Sequence, residues 1–404
     1  MKNNRNLVIL FFTLVVVMMG FGLIIPIMPY YIESFGAGGV ALGSMMAIFS
    51  IAQFIFSPVW GNLSDRYGRK KILLVGAFGN ALFMVLFGLA TQLWMLFVFR
   101  ALAGILSSAT LPTAMAYISD STDERNRGGG MGVFGAAMGA GMVLGPGLGG
   151  WLGSDSLSMP FFVGAGLSML AVLAILAFLP ESLPADKRTT AGRVKGFDLK
   201  QLWRSLSGPL GYLNGLSFLV FFALTNFEGI FGLYAQYRFD YSPAQVGLIM
   251  TVIGLVSALA QGALTGPVTR RYGENWIIRT SLIASAVGFV LMLLAWDFAT
   301  VLITVGLFVF SNAMLRPAIS SLVSRNAGDQ QGAVLGVNNS FMSLGRIIGP
   351  LWAGFMIDLN LSFPYLSGAL IMLAVYLASL ARLRARPDEA AAPAPVKAIQ
   401  PSGD

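Results

Sequence analysis

Histidine and cysteine are both absent from this 404-residue chain. Without cysteine there is no disulfide framework and no thiolate chemistry. Without histidine the commonest metal ligand and the usual catalytic base are missing. A membrane enzyme needs a nucleophile with its base, or a metal cluster, and the sequence offers neither. No enzyme activity, metal or cofactor is therefore expected. Charge is scarce as well: Asp, Glu, Lys and Arg make up 11% of the residues, where soluble chains carry about 25%. Apolar residues fill the gap, at 56% of the chain and a mean hydropathy of +0.74. The lipid bilayer is the expected surrounding.

A spanning helix needs about 20 mainly apolar residues. Six stretches qualify near 7–32, 40–60, 72–91, 94–118, 129–152 and 160–180. Six more lie near 209–235, 244–266, 275–296, 299–323, 331–356 and 363–382. The spacing predicts an all-α integral membrane protein of twelve transmembrane helices. Its two six-helix halves would be 1–180 and 209–382, joined by a linker at 181–208. The first apolar run is too long for a signal-peptide core. The Pro/Ala-rich tail, 383–404, is expected to be disordered. Neither linker nor tail is long enough for the soluble domain of a membrane sensor.

Basic residues set the orientation. Of the 26, Arg238 alone falls in an external loop, and Arg100, Arg316 and Arg346 fall inside predicted helices. The other 22 lie on one side if both termini are cytoplasmic, which is the positive-inside pattern. The net charge of +8 then reflects membrane topology, and no nucleic-acid partner is expected. In the linker, Phe197–Leu206 places apolar residues among charges. It suits either a short helix on the cytoplasmic interface or a flexible tether.

The chain is organised around Gly132–Gly150. Gly141, Gly145 and Gly149 share one helix face, with Pro146 and Gly150 beside them. Small residues at this spacing let helices approach closely in lipid. The frame returns 204 positions on, at Gly336, Gly345, Gly349-Pro350 and Ala353-Gly354. A second motif, Gly61–Lys71, is echoed at Gly266–Gly273 with an offset of 205. Internal duplication with a pseudo-two-fold axis along the membrane normal follows.

Glu228 is the one carboxylate placed deep inside a predicted helix. A charge there costs on the order of 3 kcal/mol or more, and intramembrane acids are functional by default. Desolvation disfavours a charged carboxylate, which suits loading and releasing a proton. A structural ion pair with Arg100 or Arg316 is the alternative, and the two roles are compatible.

Taken together these motifs resemble the twelve-helix drug:proton antiporters of the major facilitator superfamily. Gly61–Lys71 is similar to its cytoplasmic signature, and Gly132–Gly150 to the signature of its antiporter branch. Arg100-Ala-Leu-Ala-Gly104 resembles its fourth-helix arginine motif, and Gly22–Pro29 the first-helix pattern of drug exporters. Asn226-Phe227-Glu228, Asp240–Pro243, Arg316–Ile319 and Gly336-Val-Asn338 carry a likeness to gram-positive-type quinolone and multidrug exporters. The resemblance implies proton-coupled efflux of amphipathic small molecules from the plasma membrane by a monomer, with alternating access through a central cavity. An exporter or symporter of another solute, such as a sugar or lipid-like metabolite, is the alternative on the same fold.

The resemblance also implies residue roles. Glu228, Arg100 and Arg316 would couple protons. Met18, Phe21, Phe49, Gln53, Met138, Asn312 and Asn338 would line the substrate site. Asp65, Arg69 and Asp120 would form a cytoplasmic latch. Related exporters carry a second acid on the tenth helix, where this chain has Ala313. Arg346 is a further departure, standing where the first glycine frame has Met142.

Overall fold

The computed structural model describes residues 2–123, 127–189, 199–208, 210–327 and 331–382. The tail assigned to 383–404 and Phe197 of the linker lie outside them. Twelve helices are long and apolar enough to cross a membrane, and no strand occurs among the described residues.

The first span, α1 (Lys2–Ile24), stops short of the predicted limit at 32. Pro26 cannot donate to the helix ladder, and the chain restarts as α2 (Met28–Glu33) with Pro29 in its first turn. Then come α3 (Gly39–Tyr67) and α4 (Arg69–Gly88). The fourth span is two helices, α5 (Leu93–Ser107) and α6 (Thr110–Ser121). The first half closes with α7 (Arg127–Asp155) and α8 (Met159–Phe178). Between the halves, α9 (Leu199–Leu206) rests on the second half, with Leu202 buried and Trp203 exposed. The helix alternative for this stretch is thus observed over 199–206.

The second half begins with α10 (Gly211–Phe239). Its second span runs through α11 (Pro243–Leu259), a π turn at Ala260–Leu264 and α12 (Thr265–Tyr272). It ends with α13 (Glu274–Leu293), α14 (Phe298–Arg325), α15 (Gln331–Leu359) and α16 (Phe363–Arg382). Gly68 and Gly273 separate equivalent helices at φ 99° and 78°, a backbone setting that a side chain rarely adopts.

The repeated glycine frame does two jobs. Within each half it lets α7 sit on α1, and α15 on α10, at backbone contact. A Cβ on Gly145 would lie 2.7 Å from the Gly22 Cα and the Met19 carbonyl oxygen. One on Gly349 would lie 2.7 Å from the Phe222 carbonyl oxygen. Between the halves, Gly150 meets Gly247 of α11, and Gly354 meets Gly39 and Gly43 of α3. The second pair of contacts repeats the first with the halves exchanged, as a two-fold axis requires.

Candidate functional site

The halves touch from one end of the bundle to about its middle. At that end Asp358 of α15 accepts from the Gly39 and Val40 amides of α3, at 2.7 and 2.8 Å. Those amides are free donors in the first turn of α3, and a carboxylate suits that end of a helix dipole. Tyr30 donates to the Tyr241 carbonyl, and Gln236 donates to Glu33. Further in, Gly254 lies against Met142 and Val143, and Gly229 against Pro350 and Met46. Beyond that level Gly128, Gly129, Gly132, Gly135 and Gly139 of α7 have open space about them, as do Gly332 and Gly336 of α15. The bundle is sealed at the Asp358 end and open at the end bearing Gly68 and Gly273.

Glu228 sits where the seal stops, beside Gly229. It is half-buried and forms no ion pair with a described residue. The cation whose charge reaches it is Arg346. Arg346 and Arg316 share one ring: their guanidinium carbons stand 5.0 and 5.8 Å from the Phe221 centroid. Both arginines are exposed although each lies within a span. Arg100 belongs to a different cluster in the first half, 4.3 Å over the Phe49 ring. Phe49 meets Phe21 edge-on at 6.0 Å, and Asn80 lines the same pocket. The Arg100 Nε is buried without a hydrogen-bond partner.

The other residues singled out in the sequence divide. Phe21 and Phe49 come together with Arg100, and Gln53 stands one turn on from Phe49, half-buried. Met18 is buried against Gly141, and Met138 packs on the small cluster around it. Asn338 is 1% exposed and donates to Asn214 and Ser217, at 3.2 and 2.7 Å. Its amide ties α15 to α10. Asn312 is buried, and its amide nitrogen lacks a partner.

At the open end Arg69 joins Asp65 at 2.6 Å and Asp120 at 3.0 Å. It also donates to the Ser64 hydroxyl, and Glu181 accepts from its backbone amide at 2.8 Å. Ser64, Asp65, Arg69 and Asp120 belong to the first half, and Glu181 opens the linker. The second half carries an equivalent pair with the signs exchanged: Glu274 and Arg325, 3.2 Å apart, stand 205 positions after Arg69 and Asp120. The pair was not singled out in the sequence, although the repeat offset of 205 is a signal that leads to it. Phe221 and Asp358 had no such signal, because their roles depend on helices packed against them.

Residues 10–227 and 213–402 match the family model of the Major Facilitator Superfamily. The chain is 32% identical to Multidrug resistance protein 2 of Bacillus subtilis (strain 168), over 91% of its length and 92% of that protein's. It is 30% identical to Quinolone resistance protein NorA of Staphylococcus aureus (strain MRSA252), over 89% and 92%. The crystal structure of the nucleoside transporter NupG superposes with a TM-score of 0.75 at 19% identity, covering 95% of this chain and all of that one.

Proposed function

The chain belongs to the Major Facilitator Superfamily, and on that footing we propose that it exports amphipathic small molecules in exchange for protons. The similarity to multidrug and quinolone resistance proteins supports efflux at the plasma membrane. The observation that carries the proton half of the reading is the position of Glu228. Among the described residues it is the one carboxylate away from the ends of the spans, and it stands where contact between the halves gives way to open space.

Exchange needs one group that holds either a proton or a substrate. With the cavity facing outward, a proton from the acidic side neutralises Glu228, and a cationic group on the substrate is released. With the cavity facing the cytoplasm, the ionised carboxylate takes up the next substrate and the proton leaves inward. Phe21, Phe49 and Gln53 supply apolar and polar wall from the first half. Glu228→Gln is predicted to abolish efflux driven by a pH gradient in proteoliposomes, leaving partial binding that no longer responds to pH. If that variant still pumps substrate uphill on the pH gradient, the proton travels elsewhere.

The halves 1–180 and 209–382 would rock about the linker, with both termini and the open end cytoplasmic. A C-terminal tag shielded from protease in intact cells is the expected result, and cleavage there would reverse the orientation. One chain encloses its own cavity, so vesicles holding one copy should transport. The Asp65–Arg69–Asp120 cluster lies within one half, so it would act by shaping the cytoplasmic rim that meets the second half on closure. Asp65→Asn should shift the population toward the inward-open state. An unchanged population and transport rate would remove the latch role.

A further inference from the structure

Whatever the cavity carries, we propose that α9 is a docking site for anionic phospholipid headgroups, in the leaflet at the open end of the bundle. The helix ends just before the span that begins at Gly211, and it packs on α10 and α15. The link from α9 to α10 is tight. The Gly211 amide donates to the Gly208 carbonyl at 2.9 Å, and a Cβ on Gly211 would overlap the Leu206 carbonyl. So short a link keeps α9 at the level where α10 enters the bilayer. What holds α9 therefore also holds the start of α10.

The order of residues round α9 sorts three surroundings. Successive positions turn by about 100°. Leu202 is buried where the helix meets the bundle. Trp203, the next position round, is 76% exposed, and Leu206, on the stripe between them, is exposed as well. An exposed indole beside a membrane span suits the boundary between acyl chains and water. Arg204, a further step round, is exposed and forms no ion pair with a described residue. Lys200 occupies the position one turn earlier, and no carboxylate occurs from 199 to 227. The helix thus sets a leucine in the bundle, a tryptophan at the boundary and an unpaired cation beyond it. What it lacks is an anion in the plane of the membrane. Phosphate groups of anionic lipids supply one: the arginine fork suits phosphate, and basic residues on an interfacial helix attract such lipids.

Because the chain has no cysteine, Ser207→Cys takes a single bimane label at the end of α9. The labelled full chain is placed in symmetric phosphatidylcholine vesicles with a small fraction of spin-labelled phosphatidylglycerol. A parallel set holds the same fraction of spin-labelled phosphatidylcholine. Quenching then reads the local concentration of each lipid. The anionic lipid should be enriched roughly 5-fold or more, the factor that one basic group contributes at an anionic surface. Arg204→Gln should lower the enrichment by that factor, and Arg204→Lys should keep most of it. Unchanged quenching by phosphatidylcholine reports that α9 is still seated in the variant. Equal quenching by the two lipids overturns the proposal, since the tryptophan alone would then seat the helix. No quenching by either overturns it too, as does Arg204→Gln with the full preference. Loss of the preference on adding inorganic phosphate at constant ionic strength overturns the lipid assignment in favour of a free anion. The readout needs neither substrate nor a pH gradient, and symmetric leaflets make it blind to orientation. Failure of proton-driven efflux therefore leaves the docking site standing, and its failure leaves efflux standing.

Discussion

Arg69 shows how much burial decides for a single side chain. It is 7% exposed, and its charge is met by Asp65 and Asp120 together. Its sign-reversed counterpart joins Glu274 to Arg325, whose side chain is 53% exposed. A buried cation stripped of a partner is costly, whereas an exposed pair contributes about 0–1 kcal/mol. Asp120→Asn should therefore lower stability by about 1–2 kcal/mol, and Arg325→Gln by less than about 1. Thermal unfolding in detergent checks the order, and equal effects would mean that Arg69 is held by Asp65 alone. The ion pair at 69 and 120 was legible from motif likeness. The ring shared by Arg316 and Arg346 was not, because Phe221 is one more apolar residue in a long run until α14 and α15 fold over it.

Among the helices, one glycine pattern carries two different interfaces. Gly145 and Gly349 press on helices of their own half, whereas Gly150 and Gly354 press on the other half. Gly132, in the same frame, has open space around it. Gly145→Ala and Gly349→Ala should each cost about 1–3 kcal/mol, since the added methyl meets backbone that cannot swing aside. Gly132→Ala should be near neutral, and a comparable loss there would show that the open end is packed in the membrane. Gly150→Val and Gly354→Val should instead open the seal and admit protons, measured as collapse of a pH gradient in vesicles without substrate. Tight vesicles with both variants would show that the seal does not depend on backbone contact. The sequence marked these glycines as members of one repeated frame, with Gly141, Gly145 and Gly149 on one helix face. Which partner each meets depends on residues far away along the chain, such as Gly22, Gly247 and Gly39.

For the bundle as a unit, the balance between the two faces rests on the end that is sealed. Asp358 bonds two amides of α3 across the halves, and Glu33 with Gln236 and Tyr30 with Tyr241 add to the same end. Asp358→Ala removes the acceptor for two donors, so it should shift the population toward opening at that end. Since the chain has no cysteine, spin labels on Gly132→Cys and Gly336→Cys report the other end cleanly. Their separation should shorten when Asp358→Ala is added, and an unchanged distribution would show that Asp358 does not hold the seal.

Pattern along the chain was enough for the class, the twelve spans, the duplication and the isolation of Glu228. Those follow from hydropathy, from small-residue spacing and from counting the rare charges, all of which are local or periodic. Hydropathy extends the first span too far, because a proline break inside an apolar run leaves it unchanged. Family likeness grouped Asn338 and Met18 with the cavity, although one ties two helices together and the other lies under Gly141. Only the packed bundle shows that Arg346 and Arg316 share the Phe221 ring while Arg100 belongs to a separate cluster over Phe49, and that one end is sealed while the other stands open. Both depend on how helices pack and on the angle between two rigid halves. That angle is set by contacts between residues that lie far apart along the chain, such as Gly39 and Asp358.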